Sequence, residues 1–178
     1  MDCPVAGGPE AAEAGTLNLF VGGSEKDFKR CEKILRVIGK KIYYLGPAGS
    51  GEAMKLINNL MVHMIRIGTL EAMSLALKAG INLRVMLEII SSSSGQSWIM
   101  SNMLPKISSK KKANVTIKNL YAVAKSIYDF SREMNVDLPL LETVMRVWSY
   151  YIAEGLGDKD LTEIATYIEK VLNVKITF

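Results

Sequence analysis

One long apolar segment, from Ala53 to Ala79, constrains the fold of this chain more than any other feature. Its residues are apolar nearly all round the helix that they predict, and such helices are normally buried inside a protein. Lys55 and Asn59 stand four residues apart near its start, so they stack on one face, one turn apart. A lysine in the first turns of a buried helix either reaches water with its ammonium group or belongs to a site.

The same polar stripe continues with His63 and Arg66, and a glycine-rich turn at residues 49–51 precedes the helix. A helix N-terminus presents free backbone N–H groups and a positive dipole end, which favour an anion nearby. Carboxylate recognition beside a proton-donating lysine suits this arrangement. Taken alone, a lysine and an asparagine at this spacing are common, and the glycines indicate only a loop. We expect His63 to be a satisfied core or interface histidine.

The cysteine and charge content favours a reduced, intracellular globular protein, and we predict a cytoplasmic location. The chain has 178 residues, of which 49% are hydrophobic and 22% charged, with a net charge of +4. Most of the positive excess lies in residues 110–112, where a solvated loop is favoured over a nucleic-acid contact because no aromatic residues are interleaved. Cys3 and Cys31 lack Cys-x-x-Cys spacing and the chain has a single histidine, which argues against a structural zinc site.

Neither a secretory signal nor a membrane span is predicted. Met1 runs straight into Asp2 without a basic region or an apolar region. The long apolar segment is interrupted by polar residues between Lys55 and Glu71, whereas a span needs about 18 uninterrupted apolar residues. We therefore expect a soluble protein without a membrane partner.

Two different patterns divide the chain near residue 47. Residues 1–46 predict a β-α-β fragment, with strands at 16–21 and 41–45 and a helix between Ser24 and Gly39. From about residue 49 the pattern is helical, and helices are predicted at 53–79, 83–91, 96–107, 114–134, 138–153 and 158–172. Trp98, in the third of these, is expected in the core.

Two motifs carry a resemblance to a known family. The chain opens with Asp-Cys-Pro-Val-Ala-Gly-Gly at residues 2–8, and residues 49–59 read Gly-Ser-Gly-Glu-Ala-Met-Lys-Leu-Ile-Asn-Asn. Together they resemble the β-hydroxyacid dehydrogenases, which include 3-hydroxyisobutyrate dehydrogenase, tartronate semialdehyde reductase and 6-phosphogluconate dehydrogenase. The family signatures are Asp-x-Pro-Val-Ser-Gly-Gly and Gly-x-Gly-x-x-x-Lys-x-x-x-Asn. The second signature is matched at every fixed position, and the resemblance covers essentially the whole chain.

The resemblance implies a role for each candidate site residue. Lys55 corresponds to the catalytic lysine that exchanges a proton with the substrate oxygen while hydride moves to or from nicotinamide. Gly7 and Gly8 correspond to the glycine pair whose backbone N–H groups bind the substrate carboxylate, and Asn59 to the asparagine that binds substrate. Lys118 stands where a family lysine reaches the cofactor region, so it is a cofactor-binding candidate.

The resemblance also implies the fold, which is predicted to be mainly α. An all-α helical bundle, residues 47–178, is the expected substrate-binding and dimerisation domain. It follows a small β-α-β remnant, residues 1–46, of a Rossmann-type nucleotide-binding domain. Family members dimerise through C-terminal helices, so a homodimer is expected, and no nucleic-acid partner is predicted.

Departures from the family pattern leave the activity of this chain open. Family members begin with a domain that carries Gly-x-Gly-x-x-Gly, and this fingerprint is missing here. The chain is thus expected to be the C-terminal part of an NAD- or NADP-dependent dehydrogenase, inactive alone and without tight cofactor binding. Ala6 replaces the usual serine, and Asn119 replaces the usual aspartate. The alternative is a non-catalytic helical dimerisation or binding module.

Overall fold

The structure is a computed structural model that describes residues 1–176, and the chain divides into two compact units. The first unit is Met1–Asn59, and the second begins at Leu60. Eight α-helices and three β-strands occur within the described residues. The longest helix, α3 (Ser50–Lys78, 29 residues), begins in the first unit and continues into the second.

The first unit is built on a three-stranded mixed sheet. Its elements in chain order are β1 (Val5–Ala6), α1 (Gly8–Glu13), β2 (Leu17–Val21), α2 (Glu25–Ile38) and β3 (Gly39–Tyr44). The strand order is β1-β2-β3. Strand β1 pairs antiparallel with β2, with Val5 opposite Leu19, whereas β2 pairs parallel with β3. The parallel pair is joined by α2, as parallel strands require a crossover connection.

The predicted fold class is wrong. The expectation was an all-α bundle after a β-α-β remnant, whereas residues 1–46 form β-α-β-α-β with an antiparallel strand at one edge of the sheet. Strand β1 has two residues and α1 has six, so neither is long enough to show a periodic apolar pattern. Strand β1 forms through its pairing with β2, a contact between residues more than ten positions apart in the chain.

Local signals explain why α2 forms where predicted. The Ser24 hydroxyl accepts a hydrogen bond from the Asp27 amide at 3.1 Å, which caps the first turn. The core of this unit consists of buried side chains from β2 and α2: Leu17, Leu19, Val21 and Leu35. Strand β2 pairs with both β1 and β3 as the central strand of the sheet, and its side chains are buried on both faces.

The second unit is helical. It contains the rest of α3 followed by α4 (Leu83–Ser91), α5 (Trp98–Ser108), α6 (Ile117–Glu133), α7 (Pro139–Tyr151) and α8 (Ile164–Leu172). A π-helical turn at Ile152–Leu156 extends α7, and a 3₁₀ turn at Leu161–Glu163 precedes α8. These helices confirm the predicted helical segments, with boundaries shifted by a few residues. The predicted helical domain was residues 47–178, and its last two positions, 177 and 178, lie outside the described residues.

The helices of the second unit bury one large apolar core. Trp148 on α7 is fully buried, and it is accompanied by Met73, Leu83, Leu104, Ile107, Ile117, Leu141 and Ile164. The expectation that Trp98 is a core residue is wrong, because 67% of its surface is exposed at the start of α5. The prediction for His63 is confirmed, since it is buried against Trp148.

Helix α3 combines length with high hydropathy. An 18-residue window of α3 has a mean hydropathy of 1.4, so α3 is long and apolar enough to cross a membrane, and it is alone in this among the helices of residues 1–176. Core helices of soluble proteins share this property. One third of that window is buried in the structure. A single helix of this kind is weak evidence for a membrane span.

Candidate functional site

Lys55 is half-buried in the second turn of α3, and its ammonium group contacts β1. The Nζ atom donates a hydrogen bond to the backbone carbonyl of Val5 at 2.6 Å. Burial lowers the pKa of Lys55 below its ordinary value of 10.5, while the nearby Glu52 carboxylate opposes the shift. Because its hydrogen-bond partner is a neutral carbonyl, Lys55 can lose its proton without breaking an ion pair.

The glycine pair follows directly after β1 in a conformation that few other residues adopt. Gly7 has φ 141° and Gly8 has φ 77°. A Cβ atom on Gly7 would lie 2.6 Å from the Cβ of Ala11, so a side chain is excluded by contact as well as by backbone geometry. The predicted carboxylate-binding glycines thus lie two and three residues beyond Val5, whose carbonyl accepts a hydrogen bond from Lys55.

Asp2 is a residue of this site to which sequence reasoning assigned no role. Its carboxylate accepts hydrogen bonds from the Gly49 amide at 2.7 Å and the Glu52 amide at 2.9 Å, and so caps the N-terminus of α3. The hydrogen bond from Gly49 is the largest cause that lowers the pKa of Asp2 below 3.8, and burial opposes it. Capping by a residue 47 positions upstream leaves no local pattern, although Asp2 is the first residue of the family signature.

The Asp2 carboxylate also determines whether the glycine-rich turn before α3 can bind an anion. The amides at the start of α3 are engaged by the Asp2 carboxylate, and Gly51 is packed so closely that a Cβ would lie 2.3 Å from the Phe20 carbonyl oxygen. A second anion at this helix N-terminus would be repelled by Asp2. This turn therefore does not fit the pyrophosphate of a dinucleotide.

Asn59 lies one turn after Lys55 on α3 and is partly buried. Among residues 1–176, no side-chain group accepts from or donates to its amide, which leaves the amide available for a ligand. The spacing of four residues places the two side chains on neighbouring positions of one helix face, as predicted.

Lys118, the cofactor-binding candidate, lies in the second unit at the start of α6. Its Nζ forms an ion pair with the Asp158 carboxylate at 2.8 Å, and both side chains are mostly exposed. Its aliphatic chain covers Gly157, where an added Cβ would lie 3.1 Å from the Lys118 Cε. The backbone amide of Lys118 also donates to the Gly157 carbonyl, so two chain segments fix its position. Such exposed ion pairs are weak and can exchange partners.

The second unit also contains a cavity of about 300 Å³. Its walls come from α3, α4, the following loop and α5: Ile65, Gly68, Thr69, Ala72, Ile90, Gly95, Ser97 and Met100. The Thr69 hydroxyl donates to the Ile65 carbonyl and the Ser97 hydroxyl accepts from the Met100 amide, so both are already engaged. None of the predicted site residues lines this cavity.

Comparison with protein families matches both parts of the chain. The model described as "NAD-binding of NADP-dependent 3-hydroxyisobutyrate dehydrogenase" matches residues 49–168. The model described as "NAD binding domain of 6-phosphogluconate dehydrogenase" matches residues 1–46. The two matches together include the segments that carry Lys55 and the glycine pair.

Curated relatives match nearly the whole chain. A 2-(hydroxymethyl)glutarate dehydrogenase of Eubacterium barkeri is 33% identical over 99% of this chain and 60% of its own length. A mitochondrial 3-hydroxyisobutyrate dehydrogenase of Drosophila melanogaster is also 33% identical, over 96% of this chain and 55% of its own length. The chain thus spans a little over half the length of these relatives.

A solved structure shows the same fold. The 3-hydroxyisobutyrate dehydrogenase of Salmonella typhimurium superposes with a TM-score of 0.85 and 25% identity, covering 93% of this chain and 59% of its own. This similarity spans both described units. The resemblance inferred from the two motifs is confirmed, and the chain belongs to the β-hydroxyacid dehydrogenase family.

Proposed function

We propose that this chain is the substrate-binding and proton-transferring part of an NAD(P)-dependent β-hydroxyacid dehydrogenase that acts on a small 3-hydroxy acid. The observation that supports this most directly is the environment of Lys55. Its half-buried ammonium group donates to the Val5 carbonyl, at the end of the sheet where the chain turns into Gly7 and Gly8. A general base and a carboxylate-binding turn are the two elements that these residues would contribute to oxidation of a hydroxy acid, while NAD or NADP of the whole enzyme would accept the hydride.

The proposed role of Lys55 is proton exchange with the substrate oxygen. In the oxidative direction, the neutral Nζ takes the hydroxyl proton as the carbonyl forms; in the reductive direction, the ammonium form returns it. A pKa lowered by burial increases the fraction of neutral lysine near physiological pH. The Val5 carbonyl can accept a hydrogen bond in both states and so keeps the amine oriented.

The proposed substrate contacts come from the residues around Lys55. Backbone N–H groups of Gly7 and Gly8 bind the substrate carboxylate, and the unengaged amide of Asn59 binds the substrate hydroxyl or carbonyl. Ala6 supplies no hydroxyl where the family signature has serine, which weakens substrate binding by about 1 kcal/mol. Substrate preference is therefore expected to differ from that of relatives with the serine.

We further propose that residues 1–46 and 47–178 act as separate functional domains, with Lys118 in the cofactor region. The family descriptions that name a nucleotide support NAD or NADP as the cofactor of the whole enzyme. Before Lys118 contacts a cofactor phosphate, it must release Asp158. Because the turn before α3 is closed by Asp2, we expect no tight dinucleotide binding by the 178 residues alone.

The proposed dehydrogenase role is tested by adding a nucleotide-binding domain. The 178-residue chain is expected to show no turnover of 3-hydroxyisobutyrate or 2-(hydroxymethyl)glutarate with NAD or NADP. A fusion to the N-terminal part of the Eubacterium barkeri relative should show turnover, measured by absorbance of the reduced nicotinamide. Turnover by the chain alone contradicts the expected inactivity, whereas a folded but inactive fusion contradicts the dehydrogenase role.

A non-catalytic helical module is the second candidate. The departures at Ala6 and Asn119 favour it, as does the ion pair that holds Lys118. The same fusion separates the two candidates, because a module without hydride chemistry fails to turn over every hydroxy acid tested.

We also propose a homodimer in the cytoplasm. The exposed apolar side chains of Met61 on α3 and Tyr150 on α7 support an interface, whereas Ile67 and Trp148 on the same two helices are buried in the core. The free thiols of Cys3 and Cys31 support a reducing compartment. Light scattering at micromolar concentration should give twice the monomer mass of 19.6 kDa, and a folded monomer contradicts the dimer.

A further inference from the structure

Arg66, in the part of α3 that belongs to the second unit, has no partner for its charge within residues 1–176. Within residues 1–176 its guanidinium group has neither a hydrogen-bond acceptor nor an ion pair, and its Nε is closed to water. Burial lowers the pKa of Arg66 to about 10, so the group is still charged at neutral pH. A partly buried guanidinium without a counter-charge is unfavourable, because burial removes the water that would otherwise solvate its charge.

Within residues 60–176, no acidic side chain forms an ion pair with Arg66. The ion pairs described there join other residues: Lys110 with Glu169, Lys118 with Asp158, Lys125 with Asp129, and Arg132 with Asp137. The ring contacts of Trp148 are with His63 and Tyr151, and within residues 60–176 no aromatic ring forms a cation–π contact with the guanidinium.

His63 places a second donor on the same side of the helix. It precedes Arg66 by three residues, a spacing that makes side chains neighbours. Its Nδ1 accepts a hydrogen bond from the buried indole Nε1–H of Trp148 at 3.2 Å, so the proton of the neutral imidazole is on Nε2. Burial, with a smaller contribution from the Arg66 charge, lowers the pKa of His63 to about 4. At neutral pH, Nε2–H is therefore a neutral donor, and it has no acceptor among the described residues.

We propose that the Arg66 guanidinium and the His63 Nε2–H form a binding site for an oxyanion, either a carboxylate or a phosphate group. A planar guanidinium matches the two oxygens of such a group, and a neutral imidazole N–H adds a donor without adding charge. The oxyanion supplies the counter-charge that Arg66 lacks. Two sources share this chemistry: a free small anion, or an Asp or Glu side chain of a second copy of this chain.

The buried indole of Trp148 reports directly on this site. The chain has two tryptophans, Trp98 and Trp148, so a ¹⁵N-indole spectrum of the whole chain contains two signals, and Trp98→Phe assigns them. Titration with inorganic phosphate, against sodium chloride at equal ionic strength, should shift the Trp148 signal saturably because phosphate alters the His63 ring that accepts from it. The exposed Trp98 indole is the internal control and should not shift.

Matched substitutions test whether Arg66 supplies the charge. Arg66→Met should abolish the phosphate-dependent shift, and Arg66→Lys should weaken phosphate binding at least about tenfold because the planar fork is lost. Arg146→Met, at an exposed position on α7, should leave the shift unchanged. If Arg66→Met does not fold, the wild-type titration and Arg66→Lys still decide the proposal.

Sedimentation distinguishes the two sources of the oxyanion. With a free anion, the mass of the chain is the same with and without phosphate. With a carboxylate of a second copy, phosphate competes with dimerisation, and Arg66→Lys raises the dimer dissociation constant at least about tenfold. The proposal is overturned if phosphate shifts the Trp148 signal no more than chloride does and neither phosphate nor Arg66→Lys changes self-association.

Discussion

The two candidate lysines of this protein are held in opposite ways. Lys55, in residues 1–59, is half-buried and donates to a neutral backbone carbonyl, whereas Lys118, in residues 60–176, is exposed and paired with the Asp158 carboxylate. Burial lowers the pKa of Lys55 and so favours loss of its proton, and its carbonyl partner forms no ion pair that this loss would break. This contrast supports the proposed proton transfer by Lys55 and the proposed place of Lys118 in the cofactor region.

The largest expected effect separates these two roles directly. In the fusion with a nucleotide-binding domain, Lys55→Ala should lower kcat at least about a hundredfold, because proton transfer to or from the substrate oxygen is lost. Lys118→Ala should instead raise KM for the dinucleotide with a smaller change in kcat. Steady-state kinetics checks both variants, and Lys125→Ala on the surface of α6 is the control. An equal loss of kcat in the Lys55 and Lys118 variants breaks the comparison.

The next effect compares two glycines with positive φ, one in each unit. Gly7→Ala combines backbone strain with a Cβ contact of 2.6 Å to Ala11, whereas the site of Gly155 has no atom within 4 Å of an added Cβ. Gly7→Ala should therefore lower the free energy of unfolding by roughly 3 kcal/mol, and Gly155→Ala by roughly 1 kcal/mol, which is the strain alone. Urea denaturation measures both. If the two variants lose the same free energy of unfolding, the turn at Gly7 rearranges to accept a methyl group, and the predicted clash with Ala11 is contradicted.

A third comparison concerns two aspartates that cap backbone amides. Asp160 accepts from the amides of Ala113, Asn114 and Thr162 and from the Thr162 hydroxyl, whereas Asp2 accepts from two amides. Asp160→Asn should cost about 2 kcal/mol of stability and Asp2→Asn about 1 kcal/mol, since each variant keeps only part of its bonds.

The pH dependence of these two costs has a defined sign. Burial tends to raise the pKa of Asp160, but its hydrogen bonds outweigh burial, so both carboxyl groups have folded-state pKa values below 3.8. Their stabilisation is present above pH 3.8 and is lost as the pH falls through the lowered values. Thermal unfolding should give a smaller difference in Tm between wild type and each variant at pH 3 than at pH 7. A gap that widens on acidification contradicts the carboxylate cap.

The smallest effect is the titration of Lys55 itself. Because burial lowers its pKa below 10.5, NMR of the side-chain Cε, assigned with Lys55→Arg, should give a midpoint below that value. The sign for stability is opposite to that of the aspartates: the burial penalty applies below the folded-state pKa and is relieved as the pH rises towards 10.5. A midpoint at or above 10.5 removes the argument for Lys55 as a general base.

The helices of the second unit were predictable because each carries a local signal. In α4 and α5 an apolar periodicity and a capping residue, Asn82 or Ser97, lie within the same short segment, and α7 begins with Pro139. Strand β1 and helix α1 were not predictable, because they are short and depend on pairing with β2. The exposure of Trp98 was not predicted either, because the expectation of burial came from the residue type alone. Which side of α5 faces the core depends on how the helices pack.

By itself, the sequence determined the family, the α3 helix and the stacking of Lys55 with Asn59, because these depend on residue types at fixed short spacings. The tertiary structure alone decided that Lys55 contacts Val5 and that Asp2 closes the N-terminus of α3. These contacts join residues about fifty positions apart, and their formation depends on the sheet that brings the two segments together. Helical periodicity describes neighbours along one element, whereas protonation and anion binding depend on which distant groups are brought into contact.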